Sequence, residues 1–435
     1  MASEWRNWAG DQRCRPASIS TPASLSELQE AVAAAAGRGQ PVRASASGHS
    51  FTDIALTDGV MVRLDRLMRM LDFDRASGLF KVEGGIVLGA LNRLLDEYGV
   101  AFENLGDIDR QSVAGSISTG THGTGERYRS VSAQIAAMEL VTADGSLVEV
   151  SEDDPDLLRA ARVGLGALGI IYSVTVRTVP AFTLDRVDGP RPLDEVLDRL
   201  DELSAGADHF EFYVFPHTEV ALCRESRRTD DPPRPRHPAV VYAQEVILEN
   251  WVGQLFALAA RTMPSQAPRL SRIASRGVGR SRKIDRSYEV FASERRIRFT
   301  EMEWGIPREH ARAAIEAVLA EANRPGHGLA YPVEVRFVAA DDSMLSTSHG
   351  RDTCYIAVHQ DRKLEWEPYF RAVEEIAVSH GGRPHWGKRH FRTVADLAPA
   401  YPEWDTFQAI RARLDPGGTF GNDYTERVLG PVAGG

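Results

Sequence analysis

Residues 43–50, with the sequence Arg-Ala-Ser-Ala-Ser-Gly-His-Ser, constrain the fold of this chain more than any other stretch. They follow the turn-forming segment 37–41, and almost none of their side chains is large enough to pack into a core. They offer closely spaced backbone N–H groups, three hydroxyls, and a glycine, Gly48, that tolerates an unusual backbone dihedral. These are the parts of a pyrophosphate-binding loop, and His49 would lie beside the ligand. The alternative is a surface turn that carries an incidental histidine.

A second stretch of small residues, 111–125, has the sequence Gln-Ser-Val-Ala-Gly-Ser-Ile-Ser-Thr-Gly-Thr-His-Gly-Thr-Gly. A backbone with so few bulky side chains is typical of a segment that a ligand approaches closely. The stretch lacks a Gly-Lys-Ser/Thr ending and a strand leading into a Gly-x-Gly-x-x-Gly helix start, so it is neither a Walker loop nor a Rossmann fingerprint. A flexible linker is the alternative, but strand-like residues 135–142 follow at once. We expect His122 to be a buried, hydrogen-bonded histidine rather than a ligand.

The totals exclude several classes of protein. A length of 435 residues favours two to three domains, and 61 acidic against 51 basic residues argue against a nucleic-acid partner. Cys14, Cys223 and Cys354 are too scattered for a disulfide framework or a zinc site. The chain shows no apolar signal region and no apolar stretch of about 18 residues, the length of a membrane span. We therefore expect a cytoplasmic protein without a membrane span.

Hydrophobic periodicity divides the chain near Pro180. The first part alternates helices and strands, as in an α+β or α/β domain, and the second part is typical of an α+β domain with an antiparallel sheet. Residues 227–238 are charged and proline-rich, which predicts an exposed loop. The predicted helices are 20–36, 87–98, 157–161, 193–203, 250–261, 267–276, 308–322 and 369–379, and the predicted strands are 41–44, 60–64, 80–84, 136–142, 147–150, 166–177, 209–215, 295–304, 333–338 and 355–359.

The strand 333–338 carries the first chemical signal of the second part. Alternation buries its valines and Phe337 on one face and directs Glu334 and Arg336 together from the other, about 6–7 Å apart. A carboxylate and a guanidinium so placed can orient a polyhydroxylated ligand by accepting and donating hydrogen bonds. The alternative is a solvated ion pair on a sheet surface, which stabilises a fold by only about 0–1 kcal/mol.

The stretch 380–390 carries the second signal. It holds His380, His385 and His390, which suggests a metal site, but Pro384 and the neighbouring glycines interrupt any helical ligand spacing and no carboxylate stands among the histidines. We therefore expect no metal. Lys388, which follows Trp386 and Gly387, is interpreted as a cation directed into a pocket, with an exposed lysine as the alternative.

Together these stretches resemble the vanillyl-alcohol-oxidase superfamily of flavoproteins, in the branch of the sugar-1,4-lactone and alditol oxidases. The motifs that carry the resemblance run in one order along nearly the whole chain. They are Ser-Gly-His-Ser-Phe-Thr-Asp-Ile-Ala at 47–55, Ser-Val-Ala-Gly-x-x-x-Thr-Gly-Thr-His-Gly-Thr-Gly at 112–125, Leu-Gly-Ile-Ile at 168–171, Glu-Val-Arg at 334–336, His-Trp-Gly-Lys at 385–388 and Thr-Phe-Gly-Asn-Asp-Tyr at 419–424.

The resemblance implies an α+β fold, with a two-lobed PCMH-type FAD-binding domain at 12–180. Residues 181–435 would form an α+β cap domain with a large antiparallel sheet and a C-terminal segment that returns to the flavin. The implied cofactor is FAD, bound covalently through His49. The other implied cofactor-binding residues are Arg43, Ala44, Ser45, Ala46, Ser47, Gly48, Ser50, Gly106, Asp107, Ser112, Gly115, Ser116, Thr119, Ile170 and Ile171.

The resemblance also implies the activity. The chain would oxidise the CH–OH group of a sugar-1,4-lactone, with Glu334, Arg336 and Lys388 as catalytic residues and with Asp107, Glu334, Arg336, His359 and Lys388 in contact with the substrate. Gly106 matches a position beside the flavin at which alanine, in dehydrogenase relatives, blocks oxygen, so oxygen is the expected acceptor. A dehydrogenase that uses a cytochrome or a quinone, and an alditol oxidase, are the alternatives within the family.

Two readings from other classes remain open. One is a metal hydrolase that uses His380, His385 and His390, and the other is a binding module without catalysis. A visible flavin spectrum separates the flavoenzyme from both.

Overall fold

The computed structural model describes residues 4–235, 262, 266–277, 279–292, 298–327, 329 and 331–432. Within these residues the strands form three larger sheets: a parallel one, an antiparallel one beside it, and an eight-stranded one built by the second part of the chain. No helix in the described part is long and apolar enough to cross a membrane.

The first part builds two adjoining sheets. The helix α1 begins where the Ser24 side chain accepts a hydrogen bond from the Glu27 N–H, buries Leu28 and Val32, and ends at Gly37. The strand order of the parallel sheet is β3-β5-β4 and that of the antiparallel sheet is β10-β9-β11-β7-β6. The elements are β1 (Trp5–Arg6), β2 (Arg13–Cys14), β3 (Ser18–Ser20), α1 (Leu25–Ala36), β4 (Val42–Ser45), β5 (Val60–Arg63), β6 (Met70–Asp74), β7 (Leu79–Glu83), α2 (Leu88–Glu97), β8 (Val100–Ala101), α3 (Val113–Ser118), β9 (Ile135–Val141), β10 (Leu147–Val150), α4 (Pro155–Arg162) and β11 (Ile170–Arg177).

The second part builds the large antiparallel sheet, with the strand order β16-β13-β15-β14-β18-β19-β17-β20. Its elements are β12 (Val179–Pro180), β13 (Thr183–Pro192), α5 (Leu193–Asp198), α6 (Leu200–Ala205), β14 (His209–Val214), β15 (Val220–Thr229), α7 (Ala267–Gly277), β16 (Ser281–Arg286), α8 (Ser287–Phe291), β17 (Thr300–Pro307), α9 (Ala311–Ala322), β18 (Val333–Val338), β19 (Thr353–Gln360), α10 (Glu367–Ser379), β20 (Arg383–Pro384), α11 (Val394–Leu397), α12 (Trp404–Leu414) and α13 (Asp423–Leu429).

The two faces of the large sheet differ in chemistry. One face is apolar and packs with the helices α9 and α10 in a single core, which includes Phe212, Val335 and Ile356. The other face carries charged side chains and lies against the first part of the chain, as the hydrogen bond from Gly125 N–H to the Phe337 carbonyl shows at 2.7 Å. The sheet therefore presents a polar surface to the loop that contains the second small-residue stretch.

The last part of the chain returns to the first sheets. Phe407, Phe420 and Tyr424 belong to the core of the first part. The Val42 N–H donates to the Thr419 carbonyl at 2.8 Å, which extends the hydrogen bonding of β4 towards the end of the chain. The first 180 residues thus share their core with residues from the last forty.

Most predicted elements are confirmed within one to four residues, and the differences have physical causes. The strand predicted from residue 166 begins at Ile170, because residues 166–169 form a turn in which Gly169 has φ +140°. The helix predicted over 193–203 is divided into α5 and α6 at Arg199. The predicted loop 227–238 begins inside β15. Its last three residues, 236–238, lie outside the described residues, as do the predicted helix 250–261 and the first three residues of the predicted strand 295–304.

The sequence reading missed β13 altogether, since Gly189, Pro190 and Pro192 argue against a strand. The register explains why they are tolerated. The strand β16 pairs only with residues 183–188, so the prolines lie where β13 is hydrogen-bonded on one side, to β15.

Candidate active site

The two small-residue stretches line one cavity of about 880 Å³. The turn before β11 contributes Leu165, Gly166 and Gly169, and the C-terminal end of β4 leads directly into the cavity wall. Predicted cofactor residues in the wall are Arg43, Ala44, Ser45, Ala46, Ser47, Gly48, His49, Ser50, Ser112, Gly115, Thr119 and Ile171.

The wall of this cavity fits a cofactor that binds through backbone groups. Gly48 has φ +66°, the left-handed conformation that its position in the sequence suggested. Ser45 Oγ is buried and has no hydrogen-bond partner among the described residues, which is the condition expected of a hydroxyl that a ligand completes. Ser116 and Ile170 do not line the cavity, and the Ser116 hydroxyl donates instead to the Val113 carbonyl at 2.9 Å.

The Arg43 side chain supports the cavity from behind. Its guanidinium donates to the carbonyl oxygens of Ile54 at 2.6 and 2.9 Å, Leu165 at 3.0 Å, Gly166 at 3.1 Å and Phe420 at 2.6 Å. Burial lowers the pKa of Arg43 to about 10. These bonds join three distant segments of the wall, so the side chain fixes the geometry of the loop while its backbone remains at the cavity.

His49 lies in the cavity wall beside an aromatic ring. Its imidazole stacks on Trp8, with 5.4 Å between the ring centroids and 24° between the planes. Burial, together with the charges of Lys388 and Arg110, lowers the pKa of His49 to about 4. The imidazole is therefore neutral at neutral pH and keeps a nitrogen lone pair.

Glu334 and Arg336 point from the same face of β18, as the alternation predicted, but this face is buried. Arg336 contacts Asp107 at 2.8 Å and Glu211 at 3.1 Å, and it also pairs with Glu334. Its side chain is 8% exposed, which rules out the solvated surface pair. Burial alone would lower the pKa of Arg336, but the three carboxylates outweigh it and hold that pKa above its usual value.

The same face continues across the neighbouring strands. Tyr213 on β14 lies opposite Glu334, and the Tyr213 hydroxyl donates to Glu334 at 3.1 Å. On the other side, Glu334 lies opposite Ala357 of β19, and Ala357 lies opposite Glu303 of β17. One row of the sheet thus carries two carboxylates and a phenol towards the first part of the chain.

Lys388 lies at the far end of this face. Its Nζ is 2.5 Å from Glu301 of β17 and stands 5.2 Å from the centroid of the Phe51 ring. His359, opposite Glu301 in the sheet, brings Nε2 to 3.5 Å from the same carboxylate. The loop of Lys388 also contacts the residue that follows the first stretch, because the Phe51 N–H donates to the Gly387 carbonyl at 2.8 Å. The predicted catalytic lysine therefore lies between the sheet and the cradle, as we call the part of the cavity wall formed by the two small-residue stretches, 43–50 and 111–125.

Asp107 and Arg336 also line a second, smaller cavity of about 350 Å³. Glu211 and Arg224 stand in the same wall, joined by an ion pair of 2.8 Å. This cavity adjoins the charged end of the sheet face. Several charged side chains line it, whereas the wall of the first cavity contains almost none.

Gly106 lies against the second stretch. A Cβ placed on Gly106 would lie 3.2 Å from the His122 carbonyl oxygen and 3.3 Å from Thr121 Cγ2. A methyl group there would press on this backbone rather than enter open space.

The three histidines of 380–390 do not converge. The ring of His380 contacts the Ile376 carbonyl at 2.8 Å, at the end of α10, and His390 Nε2 lies 3.2 Å from the Tyr424 hydroxyl. The hydrolase reading that used them together is therefore wrong. In the described part of the chain, the one cluster of three potential metal ligands is His122, Glu303 and His385, whose ligand atoms lie within 4.8 Å of one another.

The hydrogen bonds of this cluster do not fit a metal. The Gly387 N–H donates to His385 Nδ1 at 3.0 Å, so the proton of the neutral ring is on Nε2 and neither nitrogen offers a lone pair. Burial lowers the pKa of His385 to about 3, which keeps the ring neutral. His122 is buried and stacked on Tyr355 at 3.5 Å, as expected of a structural histidine.

Sequence reasoning missed the carboxylates that neutralise the predicted cations. These residues are Glu211, which contacts Arg336, and Glu301, which contacts Lys388, and each alternates with a buried apolar residue on its strand. Alternation in Phe-Glu-Phe-Tyr at 210–213 and in Glu-Met-Glu-Trp at 301–304 was the available signal. The identity of the neighbouring strands was not available from the sequence.

Comparisons with known proteins agree with this geometry. Residues 16–151 match the FAD binding domain family and residues 174–428 match the family of D-arabinono-1,4-lactone oxidase. The chain is 51% identical to L-gulono-1,4-lactone dehydrogenase of Mycobacterium tuberculosis (strain ATCC 25618 / H37Rv), with 99% of this chain and 100% of that protein covered. It is 35% identical to L-gulonolactone oxidase of Bos taurus, covering 98% of each, and 30% identical to alditol oxidase of a Streptomyces species, covering 99% of this chain and 100% of that protein.

Solved structures of similar fold are cholesterol oxidases. The one from B. sterolicum has a TM-score of 0.81 at 16% identity, with 98% of this chain and 96% of that chain covered. A solvent-stable cholesterol oxidase has a TM-score of 0.81 at 17% identity, with coverage of 98% and 97%. The two-lobed FAD-binding fold with a large antiparallel cap sheet is therefore confirmed, and the chain belongs to the D-arabinono-1,4-lactone oxidase family of FAD-dependent oxidoreductases.

Proposed function

We propose that this chain oxidises the CH–OH group of a sugar-1,4-lactone, namely an L-gulono-, L-galactono- or D-arabinono-1,4-lactone. The observation that supports this most is the buried face that carries Glu334, Arg336 and, at its far end, Lys388. A polyhydroxylated, uncharged ring needs both acceptors and donors in a site closed to water, and this face supplies both. The names of the relatives, which are lactone and alditol enzymes, point to the same substrate class.

The protein's own residues have separate tasks in this reaction. FAD, held in the cradle formed by the small-residue stretches, supplies the hydride acceptor. Glu334 accepts hydrogen bonds from substrate hydroxyls, while Arg336 and Lys388 donate to the oxygen on the reacting carbon and stabilise the charge that develops there. His359 and Asp107 complete the substrate contacts. Because these charges are already paired and buried, they need little reorganisation when the reaction occurs.

We also propose that FAD is attached covalently through His49. The neutral ring, clamped against Trp8 in the cavity wall, keeps the lone pair that bond formation requires. Denaturation in acid tests this proposal, since covalent flavin stays with the protein and gives a fluorescent band on a gel. His49→Ala should leave flavin that is released on denaturation. Yellow colour in the supernatant of the wild-type protein would contradict the proposal.

The electron acceptor divides the family, and we propose oxygen, because Gly106 lacks the methyl group that shields the flavin in dehydrogenase relatives. A dehydrogenase that passes electrons to a cytochrome or quinone is the second candidate, favoured by the 51% identity to a protein of that name. An alditol such as xylitol or sorbitol is the alternative substrate, on the 30% identity to an alditol oxidase.

Two further expectations belong to the same proposal. The FAD-binding domain would span residues 12–180 and the cap domain 181–435. A cytoplasmic location would agree with three unpaired cysteines, Cys14, Cys223 and Cys354.

Anaerobic titration of the purified protein with the three lactones and with xylitol tests the activity. The expected result is bleaching of the flavin absorbance by a lactone. No bleaching by any lactone would overturn the proposal, and bleaching by xylitol alone would favour the alditol oxidase.

Mixing the reduced protein with aerated buffer, or with cytochrome c or a quinone, then tests the acceptor. Rapid return of the absorbance in aerated buffer, slowed in Gly106→Ala, is expected of an oxidase. Return that is equally slow in both proteins, and fast with cytochrome c, would favour the dehydrogenase. Flavin reduction by substrate is measured in both proteins as a control, since the methyl group would contact the His122 backbone.

A further inference from the structure

Glu301 lies on β17, on the charged face of the large sheet that also carries Glu334 and Arg336 and that we call the substrate face. Nothing in the sequence motifs drew attention to it. Its side chain is 5% exposed, and its two carboxylate oxygens contact different partners. One oxygen is 2.5 Å from Lys388 Nζ and the other is 3.5 Å from His359 Nε2. Two predicted substrate contacts from separate segments thus meet on one buried carboxylate.

The backbone of the Lys388 loop is already held without this carboxylate. The His385 N–H donates to the Glu303 carbonyl at 3.0 Å, and the Arg389 N–H donates to the Glu301 carbonyl at 2.9 Å. The loop is therefore attached to β17 on both sides of the lysine. Changing only the Glu301 side chain leaves these bonds in place.

The position of the ammonium group is a separate matter. Lysine carries its charge on a flexible four-carbon stem, so a fixed loop does not by itself fix Nζ. Glu301 holds Nζ on one side and the Phe51 ring faces it at 5.2 Å on the other. The carboxylate of Glu301, 2.5 Å from Nζ, restricts the ammonium group to one position, which the flexible stem cannot do by itself.

The charge state of the pair agrees with this role. Burial alone would raise the pKa of Glu301, but the charges of Lys388 and His359 outweigh it and lower that pKa to about 2. The carboxylate therefore stays ionised over the ordinary pH range.

We propose that Glu301 is a positioning residue, whose carboxylate holds the Lys388 ammonium at a fixed place beside the substrate. Glu301 touches neither the reacting carbon nor the cofactor in this arrangement, and it acts through the lysine. The proposal rests on the function proposed above, in which Lys388 contacts the reacting oxygen.

Glu301→Gln tests the proposal, because it removes the charge and keeps the shape. The limiting rate of flavin reduction is expected to fall by about 10²-fold, the loss that small misplacement of a catalytic group causes. Substrate affinity should change less, since Glu334 and Arg336 remain. The matched control is Glu321→Gln on α9, which likewise removes a buried carboxylate that contacts a cation, Arg324, and a histidine, His327, each at 2.9 Å. The control should reduce its flavin at the wild-type rate.

A double-mutant cycle separates positioning from general damage to the site. If Glu301 acts through the lysine, adding Glu301→Gln to Lys388→Met should change the reduction rate by less than about twofold. A further loss as large as that of the single variant would overturn the proposal.

A readout independent of activity is the rate at which Lys388 is reductively methylated in the holoenzyme, followed by mass spectrometry. We expect faster methylation of Lys388 in Glu301→Gln than in wild type, and no change in Glu321→Gln. Equal methylation in all three proteins would overturn the proposal. Because this measurement needs no substrate, its outcome stands even if no lactone reduces the protein.

If Glu301→Gln does not fold, Glu301→Asp replaces it, since it keeps the charge and draws the carboxylate back by one methylene. The Asp variant should show slower reduction and faster methylation of Lys388. Wild-type values for both would overturn the proposal.

Discussion

The cradle and the substrate face meet at Lys388, yet they are built by opposite means. The cradle consists mainly of small residues that contribute backbone groups, and the Arg43 side chain binds carbonyl groups behind the wall. The substrate face consists of charged side chains, and its two cations are held by carboxylates of other strands, Arg336 by Glu211 and Lys388 by Glu301. A site for a constant cofactor can rely on backbone groups, whereas a site that distinguishes hydroxyl groups needs side chains held by their neighbours.

This difference predicts that single side-chain changes act strongly on the face and weakly on the cradle. The largest effect is expected for Arg336→Ala. Flavin reduction should fall by about 10²–10³-fold, because a charge-stabilising donor is lost. The free energy of unfolding should also fall, by about 3–5 kcal/mol, because Asp107, Glu211 and Glu334 are left without their common cation. Stopped-flow reduction and urea denaturation measure the two effects.

Arg336→Lys is the control, since it restores the charge without the forked geometry. It should recover most of the stability and only part of the rate. If Arg336→Ala has the same free energy of unfolding as wild type, the stability of the face depends less on paired charges than its contacts indicate.

The next largest effect concerns backbone geometry in the cradle. Gly48→Val places a branched side chain at φ +66°, where a Cβ would lie 3.1 Å from the Trp5 ring. The left-handed conformation alone costs about 1–2 kcal/mol, so the loop should shift and the purified protein should contain less flavin. Gly39→Val is the matched control, with φ +63° and no atom within 4 Å of the added Cβ. The absorbance ratio of flavin to protein should fall in Gly48→Val only.

A smaller effect is expected where the two regions touch. Burial lowers the pKa of His209 on β14 to about 4, and its Nδ1 lies 2.8 Å from the Thr124 carbonyl of the second stretch. Between pH 6.5 and 4 the unfolded chain binds a proton that the native ring does not, so stability is fully present above pH 6.5 and is lost as the pH falls. The expected slope is up to about 1.4 kcal/mol per pH unit.

His49 and His385 add slopes of the same sign. Urea denaturation at pH 5 and pH 7 measures the total. His209→Asn can keep the bond to Thr124. It should reduce the difference in the free energy of unfolding between pH 5 and pH 7, because unfolding then takes up about one proton fewer. An unchanged difference would show that His209 does not contribute.

The smallest effect is expected for Ser45→Ala. The hydroxyl is one of several groups in the cradle, so its loss should weaken flavin binding by only about 0.5–1.5 kcal/mol. Ser132→Ala removes a hydroxyl that donates to the Ile117 carbonyl at 3.0 Å, away from the cavity wall, and should lower stability without releasing flavin. Flavin content after dialysis, measured with both variants in the His49→Ala background so that no covalent bond retains the cofactor, distinguishes them. Complete loss of flavin from Ser45→Ala would contradict the conclusion that the cradle binds its cofactor mainly through backbone groups.

The same contrast explains what the sequence could predict. The cradle could be predicted because runs of small residues are easily recognised in a sequence, and Gly48 has the positive φ that was expected of it. Glu334 and Arg336 were predicted to share a face because alternation within one strand is local. Their burial, and the partners Glu211 and Asp107, depend on which strands become neighbours, and no local pattern encodes that order.

The return of the last residues to the cradle has a consequence for biosynthesis. The Phe420 carbonyl accepts a hydrogen bond from Arg43, and the Asn422 amide donates to the carbonyls of Asp53, Ile54 and Leu56 at 2.9–3.2 Å. During translation these contacts cannot form until residues 420–422 have been made, because they join positions more than 360 residues apart. The nascent first part therefore lacks these contacts while the second part is being made, and the cavity wall takes its final form only after residue 422 has been synthesised.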